Sequence, residues 1–384
     1  MNNHMTTIAP FAKPLYVMAK PVGAACNLRC KYCYYLEKSK LYPHESNMMD
    51  DETLERFIRE YIESQTMRDV LFTWHGGEPM LRPVSYYEKV MALQQKYAAG
   101  RNIDNCLQTN GTLVTDEYAE FFHRNGWLIG VSIDGPREYH DAYRRAANGG
   151  PTFDEVMKGI EILNRHHVEW NAMAVVNRLN GDHPVEFYRF FKEIGCKYIQ
   201  FTPVVDASRL GELTEYSVQP KQWGEFLCGL FDEWVKEDVG EYFVQIFEAT
   251  LANWCGVAPG VCSLARYCGH AGVLEHNGDL YSCDHFVYPE YKLGNIKEHT
   301  IMEMMYSERQ QKFGRDKFDT LPRQCKRCQW LFTCHGECPK NRLLKTADGE
   351  SGLNYLCEGY RMYFEHVAPF MERMKKDILG SRNE

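Results

Sequence analysis

Long apolar runs are missing from this sequence. No uncharged stretch of the 384 residues approaches the ~18 that a membrane span needs. The first fourteen, MNNHMTTIAPFAKP, lack the apolar centre of an export signal. A surplus of positive charge is missing too. The 44 basic and 52 acidic residues leave a formal charge of −8, which offers a nucleic-acid backbone no electrostatic footprint. Internal repeats and low-complexity tracts are likewise absent. These gaps exclude a membrane-spanning protein and a nucleic-acid binder, and the expectation is a soluble, cytoplasmic chain. With 44% hydrophobic and 25% charged residues the balance is ordinary for a globular protein. At roughly 100–200 residues per domain the length allows two or three.

Cysteine, by contrast, is plentiful. Of fifteen cysteines, seven lie in residues 1–261 and eight in 262–357, making the second stretch about threefold denser. An odd total without an export signal argues against a disulfide framework and for thiolate metal ligands.

Up to about residue 205, short β-rich runs alternate with longer amphipathic segments. The pattern predicts strands over 15–19, 70–74, 105–109, 127–133, 170–176 and 198–203. Helices are predicted over 51–65, 85–97, 116–125, 152–164 and 184–194, with Asp50 and Thr115 at capping positions and Gly195 closing the last. Six β/α alternations imply a parallel sheet, because parallel strands need long crossovers. Six units are too few to close an eight-stranded barrel. Periodicity alone leaves a six-stranded partial barrel and an open doubly wound sheet both standing. Residues 206–220 (DASRLGELTEYSVQP) have the composition of a linker. Helices follow near 221–236 and 242–254, and another closes the chain over 359–376. The cysteine-dense stretch between them has little apolar periodicity, so staples are expected there. The expected division is 1–205, 206–261 and 262–384.

Directly after the first strand stands Cys26-Asn-Leu-Arg-Cys30-Lys-Tyr-Cys33. Parallel β/α folds place their chemistry at this end of a strand. Three thiolates can hold three irons of a [4Fe–4S] cube and leave the fourth open to a ligand. By spacing alone, zinc or core cysteines are equal alternatives. With Tyr32 before the last cysteine and a strand before the first, the segment resembles the radical S-adenosylmethionine (SAM) superfamily. That resemblance implies a partial (β/α)6 TIM-like barrel of α/β class. It also implies a reduced cluster that cleaves SAM to methionine and a 5′-deoxyadenosyl radical. His75-Gly76-Gly77-Glu78-Pro79 resembles the family's GGEP motif, whose backbone meets the SAM amino group. Ser132 in VSIDG and Arg144 in YHDAYRR resemble its ribose- and carboxylate-binding positions, and Val205 an apolar SAM contact. Tyr32, Gly76, Gly77, Glu78, Ser132, Arg144 and Val205 are thus the expected cofactor-binding residues. Tyr35 and His75 are expected beside them, and Thr109-Asn110-Gly111 reads chiefly as a turn.

The eight later cysteines fit two closed [4Fe–4S] cubes of four thiolates each. A zinc ribbon built from Cys325, Cys328, Cys334 and Cys338 is the rival by spacing. The region resembles the SPASM extension of radical SAM enzymes that modify peptides, in which ligands interleave. The resemblance implies Cys262, Cys268, Cys283 and Cys338 for one auxiliary cluster, and Cys325, Cys328, Cys334 and Cys357 for the other. Cys106, Cys196, Cys228 and Cys255 remain as inert single thiols. The series of spacings, with Asp284 directly after Cys283, is most similar to the anaerobic sulfatase-maturating enzymes. These oxidise one Cys or Ser of a sulfatase to Cα-formylglycine.

Such a reaction removes a hydrogen atom from Cβ, a proton from the thiol or hydroxyl, and one further electron; the thioaldehyde formed from a Cys then needs hydrolysis. Asp284, tethered beside a cluster ligand, is the expected catalytic base. Besides three [4Fe–4S] clusters and SAM, the reading implies a sulfatase polypeptide as partner and a reductant such as flavodoxin or ferredoxin. Two alternatives stand. One is a SPASM enzyme that crosslinks or epimerises a peptide, which often carries an extra N-terminal domain where this chain has about fourteen residues before its first strand. The other is a multi-cluster electron carrier, against which the open-iron triad argues. Protein prepared without oxygen should carry about twelve irons per chain, as three cubes require. Stoichiometric zinc with one cluster's worth of iron would refute this partition.

Overall fold

The structure, a computed structural model, describes residues 15–43, 47–207 and 212–380. The N-terminal segment discussed above and the middle of the 206–220 stretch lie outside them. Six strands pair side by side in chain order, all parallel: β1 (Tyr16–Ala19), β2 (Asp69–Trp74), β3 (Asn102–Thr109), β4 (Leu128–Ser132), β5 (Trp170–Val176) and β6 (Tyr198–Pro203). A doubly wound sheet reverses its strand order at a switch point. This sheet does not reverse between β1 and β6, so successive right-handed crossovers put every helix on the same face. That is the partial barrel, and it settles what periodicity left open.

Local signals place the connecting helices. Asp50 accepts from the Thr53 backbone N–H at 2.7 Å to start helix Asp51–Glu63. Thr115 caps Asp116–Asn125, and Gly126 ends that helix in the left-handed conformation. Along β5 the alternate residues Trp170, Ala172, Ala174 and Val176 are buried. Beneath the helices runs one continuous core, dense in aromatics such as Phe57, Tyr61, Phe72 and Trp74.

Two departures from the predicted elements matter. The segment expected as one helix over 242–254 begins with a strand, β7 (Phe243–Val244), parallel to β6, and only then becomes helix Gln245–Trp254. The cysteine-dense region contributes three short strands to this sheet, β8 (Ala271–Leu274), β9 (Asp279–Tyr281) and β10 (Lys292–Asn295), and a separate hairpin of Leu344–Lys345 and Ser351–Leu353. β8 pairs parallel with β1, and β9 and β10 follow antiparallel. The sheet therefore has ten strands in the order β10-β9-β8-β1-β2-β3-β4-β5-β6-β7. Strands of three or four residues are too short for a period-two pattern to register. The described part of 206–220 is folded on itself, with Tyr216 donating to the Asp206 carboxylate at 2.6 Å and the Thr214 N–H to the Asp206 carbonyl at 2.9 Å. Among the described residues no helix is long and apolar enough to cross a membrane.

Helix Pro220–Glu237 packs on the closing helix Cys357–Gly380 through paired glycines. A Cβ on Gly359 would lie 2.1 Å from the Pro220 carbonyl oxygen, and one on Gly224 would lie 2.7 Å from the Gly359 Cα. Gly359→Ala should therefore drive the helices apart at about 1–3 kcal/mol, the usual cost of overpacking. Since Cys357 opens that helix, iron content should fall along with melting temperature. Unchanged values of both would mean the helices tolerate the methyl.

Candidate active site

The C-terminal ends of β1, β2, β3 and β4 converge on the loop that carries Cys26, Cys30 and Cys33. That loop is stitched down on both sides. On one side Leu28 bridges Ala146, and the N–H groups of Arg29 and Lys31 donate to the Arg145 and Tyr143 carbonyls at 2.8 and 2.9 Å. On the other, the N–H groups of Gly77 and Glu78 donate to the Gly23 and Ala25 carbonyls at 2.9 and 2.8 Å. A Cβ on Gly77 would sit 1.9 Å from the Ala25 oxygen. The glycines thus let two backbones touch each other. Glu78 is fully buried, and its carboxylate accepts from the Met80 and Asn110 N–H groups and the Thr109 hydroxyl at 2.7–2.9 Å. Burial raises it to about 7. Its side chain ties the β2 and β3 loops together, and Asn110 reaches on to Asn27 at 2.8 Å and the Cys26 sulfur at 3.7 Å.

Tyr32 and Arg144 meet on a residue that the sequence reading did not single out. Asp134, fully buried, accepts from the Tyr32 hydroxyl, from Arg144 Nη2 at 3.1 Å and from the Val175 N–H at 2.9 Å, and Arg144 Nε lies 3.0 Å away. The Arg144 fork is thus directed at the protein's own carboxylate, which fixes Arg144 beside the Cys30 and Cys33 thiols. Ser132 accepts from Gln108 at 3.0 Å, and Val205 is buried in the core beyond β6.

The remaining eight thiols of interest form two neighbourhoods. Burial pushes Cys283 up to about 12, with Cys262, Asp284 and Cys268 adding their charge, and Cys338 is raised by burial, Glu337, Cys283 and Cys262. Burial likewise takes Cys334 to about 12 and Cys357 to about 11, with Cys325 close to both and Cys328 close to Cys357. Cys325, Cys328, Cys334 and Cys357 line a cavity of about 420 Å³. All fifteen cysteines are free. Among the described residues no three His, Cys, Asp or Glu side chains close round a single ion; the thiols are neighbours at wider spacing. Cys196 donates to the Tyr198 carbonyl at 3.2 Å and Cys106 faces the Thr73 hydroxyl at 3.3 Å, both apart from these groups.

Residues 21–191 match the Radical SAM superfamily, and residues 267–329 match SPASM, an iron–sulfur cluster-binding domain. Across 98% of this chain and 95% of its own length, a serine-type anaerobic sulfatase-maturating enzyme of Bacteroides thetaiotaomicron is 62% identical. This chain belongs to the anaerobic sulfatase-maturating enzymes. A cysteine-type member from Clostridium perfringens is 32% identical over 95% of this chain and 99% of its own. The solved structure of native anSMEcpe with bound AdoMet and Cp18Cys peptide matches with a TM-score of 0.84 at 31% identity, covering 95% of this chain and 100% of that one. The enzyme is a radical SAM oxidoreductase, and its function is that of its family, oxidation of a sulfatase Cys or Ser to formylglycine.

At the centre of the enzyme lies Asp284, in a short turn after β9. Lys20 Nζ sits 2.7 Å from Asp284 Oδ1 and 2.8 Å from Glu275 Oε1. Oδ2 accepts from the Tyr34 and Tyr35 hydroxyls at 2.5 and 2.6 Å, the Lys38 ammonium meets the Asp284 carbonyl, and Tyr35 reaches His75 at 3.3 Å. Burial works to raise the Asp284 carboxyl, but Lys20 and Lys38 outweigh it and hold it well below the usual carboxylate range. Burial also lowers Lys38 to about 8. Tyr35 and His75 both join this network; Lys20, Tyr34, Lys38 and Glu275 were missed. Lys20 and Glu275 each left one signal, a lone charge ending an apolar run (YVMAK, AGVLE).

Lys20→Met would leave two buried carboxylates without their cation, at about 3–5 kcal/mol by the usual cost of halving a buried pair. Because the folded Asp284 carboxyl is depressed, the pair's contribution is complete above the unfolded carboxyl value and is lost as pH falls through the folded one. Denaturant curves of wild type and Lys20→Met should therefore diverge at neutral pH and converge on acidification. A constant gap at every pH would show that the cost comes from packing.

Proposed function

We propose that the enzyme acts on a serine-type sulfatase, with Asp284 as the base for the substrate side chain. The observation that carries this reading is the position of Asp284: one residue after Cys283 and hydrogen-bonded to Tyr34 and Tyr35, which follow Cys33 directly. The 62% identity to a serine-type relative, against 32% to a cysteine-type one, supports the choice of substrate. Ligand roles follow the thiol neighbourhoods. Cys26, Cys30 and Cys33 hold the SAM-reactive cluster; Cys262, Cys268, Cys283 and Cys338 hold the auxiliary cluster nearer the substrate; Cys325, Cys328, Cys334 and Cys357 hold the other. Buried thiols with raised proton affinity bind iron only by releasing protons, so cluster assembly and folding of this region are linked.

When bound, the clusters and SAM supply the 5′-deoxyadenosyl radical and an acceptor for the second electron. The chain's own residues orient and deprotonate. SAM contacts fall to Tyr32, Ser132, Val205, the backbone of Gly76, Gly77 and Glu78, and Arg144 where it emerges from Asp134. The substrate hydroxyl replaces a tyrosine hydroxyl on Asp284 Oδ2. A carboxylate with such low proton affinity suffices, because loss of a hydrogen atom from Cβ makes the adjacent O–H far more acidic. Lys20 and Lys38 keep Asp284 ionised for that moment. Functionally, residues 1–205 generate the radical, 206–261 connect, and 262–384 carry the electron away. A low-potential donor such as flavodoxin or ferredoxin supplies reductant. The cytoplasm, which keeps thiols reduced, is the fitting compartment for a chain whose fifteen cysteines form no disulfide.

The test is anaerobic incubation of reconstituted enzyme with SAM, reductant and paired Ser and Cys sulfatase-motif peptides, followed by mass spectrometry. The Ser peptide should yield formylglycine, and failure to convert it would refute the assignment. Asp284→Asn should lower formylglycine yield by about 10²–10⁴-fold, the usual contribution of a positioned base. 5′-Deoxyadenosine should fall less, because its formation depends on the first thiol set. Wild-type yields of both products in the variant would return Asp284 to a structural role.

A further inference from the structure

The two C-terminal thiol neighbourhoods are joined by five residues, 334–338 (CHGEC), whose ends belong to different sets. The backbone between them is unusual. His335, Gly336 and Glu337 all have positive φ, 47°, 74° and 50°, and two of the three are residues that rarely adopt this conformation. The arc so formed wraps the guanidinium of Arg342. Arg342 Nε donates to the Gly336 carbonyl at 3.3 Å, and a Cβ on Gly336 would come within 2.8 Å of Nη2. The same Cβ would come within 2.3 Å of Leu321 Cδ2, so both side chains close on the arc at this glycine.

Nη2 itself is buried and makes no hydrogen bond among the described residues. The nearest carboxylate does not neutralise it by direct contact: Glu337 accepts instead from Asn341 at 3.1 Å and Asn354 at 2.7 Å. Leaving a charged donor buried without an acceptor is costly. Besides Glu337, the groups whose charge acts on Arg342 are Cys268 and Cys338 of one set and Cys325 of the other. The guanidinium therefore lies within charge range of thiols from both sets, with one nitrogen free.

We propose that Arg342 is a positioning residue for electron flow, its guanidinium hydrogen-bonding to sulfur of an auxiliary cluster and raising the reduction potentials of both. Cluster potentials respond to net charge and to hydrogen bonds on the sulfurs. A fixed cation between two clusters favours their reduced, more negative forms, and so helps them accept the electron released when the substrate is oxidised. The inference rests on the assignment of two auxiliary clusters made above.

The experiment is a redox titration followed by electron paramagnetic resonance on anaerobically reconstituted wild type, Arg342→Met, Arg342→Gln and Arg342→Lys, with iron counted in each. Met and Gln should retain the irons and shift both auxiliary midpoints to more negative potential, while the SAM-reactive cluster keeps its own. Lys should recover part of the shift, having the charge without the planar fork. Formylglycine formed per 5′-deoxyadenosine should fall in the neutral variants. Wild-type auxiliary midpoints in an iron-replete Met or Gln variant would overturn the proposal. So would loss of auxiliary iron from both, which would make Arg342 a folding residue. Wild type with only about four irons would overturn the cluster assignment and this inference together, an outcome the iron count separates from the others.

Discussion

The structure turns on a single ammonium group. Lys20 leaves the end of β1 and is buried between Glu275, which leaves the end of β8, and Asp284. The register explains why: Ala19 pairs with Leu274 across the two parallel strands, so the next residue of each strand emerges beside the other. One carboxylate is held by strand pairing and the other arrives on the turn after β9. Without the cation, two acids would be buried together in a region of low dielectric. The seam between the barrel and the cysteine-rich region is therefore an electrostatic joint as well as a row of backbone hydrogen bonds.

That joint fixes where Asp284 lies. Asp284 cannot reach Tyr34 and Tyr35 unless β8 lies on β1, and those tyrosines follow Cys33 directly. A residue 250 positions away in sequence from Tyr34 is thereby tied to the first thiol loop. The loop is fixed from its other side by the glycine pair and Glu78. Those residues hold the loop in place through backbone contact and a buried carboxylate, and any meeting of their backbone with SAM is a second use of the same geometry. Asp134 does comparable work for Tyr32 and Arg144, setting both side chains at the mouth of the barrel.

The cysteine-rich region adds Leu264, Ile296, Ile301 and Met305 to the main core and buries its thiols beside them. Its strands are short, burial raises thiols such as Cys283, Cys334 and Cys338, and a left-handed arc over residues 335–337 joins the two sets. Strain of this kind persists only where the surroundings over-determine it. Here those surroundings are Arg342, the Asn341 and Asn354 amides on Glu337, and the cysteines at either end.

The residues alone carried the β/α alternation, all six barrel strands to within a few residues, and the three-cysteine loop. These are local: period, capping and spacing are written over a few residues each, and iron–sulfur spacing is constrained enough to identify a family. The remaining features are non-local. Chain order of the strands selected a partial barrel over a doubly wound sheet, and the β8–β1 and β7–β6 pairings extended that sheet to ten strands. Lys20, Glu275, Tyr34, Lys38 and Asp134 acquired their importance from partners up to 255 positions away. A single charge at the end of an apolar run looks the same whether it faces water or completes a buried network. The difference is made by which strand end comes to lie beside it, and that is a property of the fold.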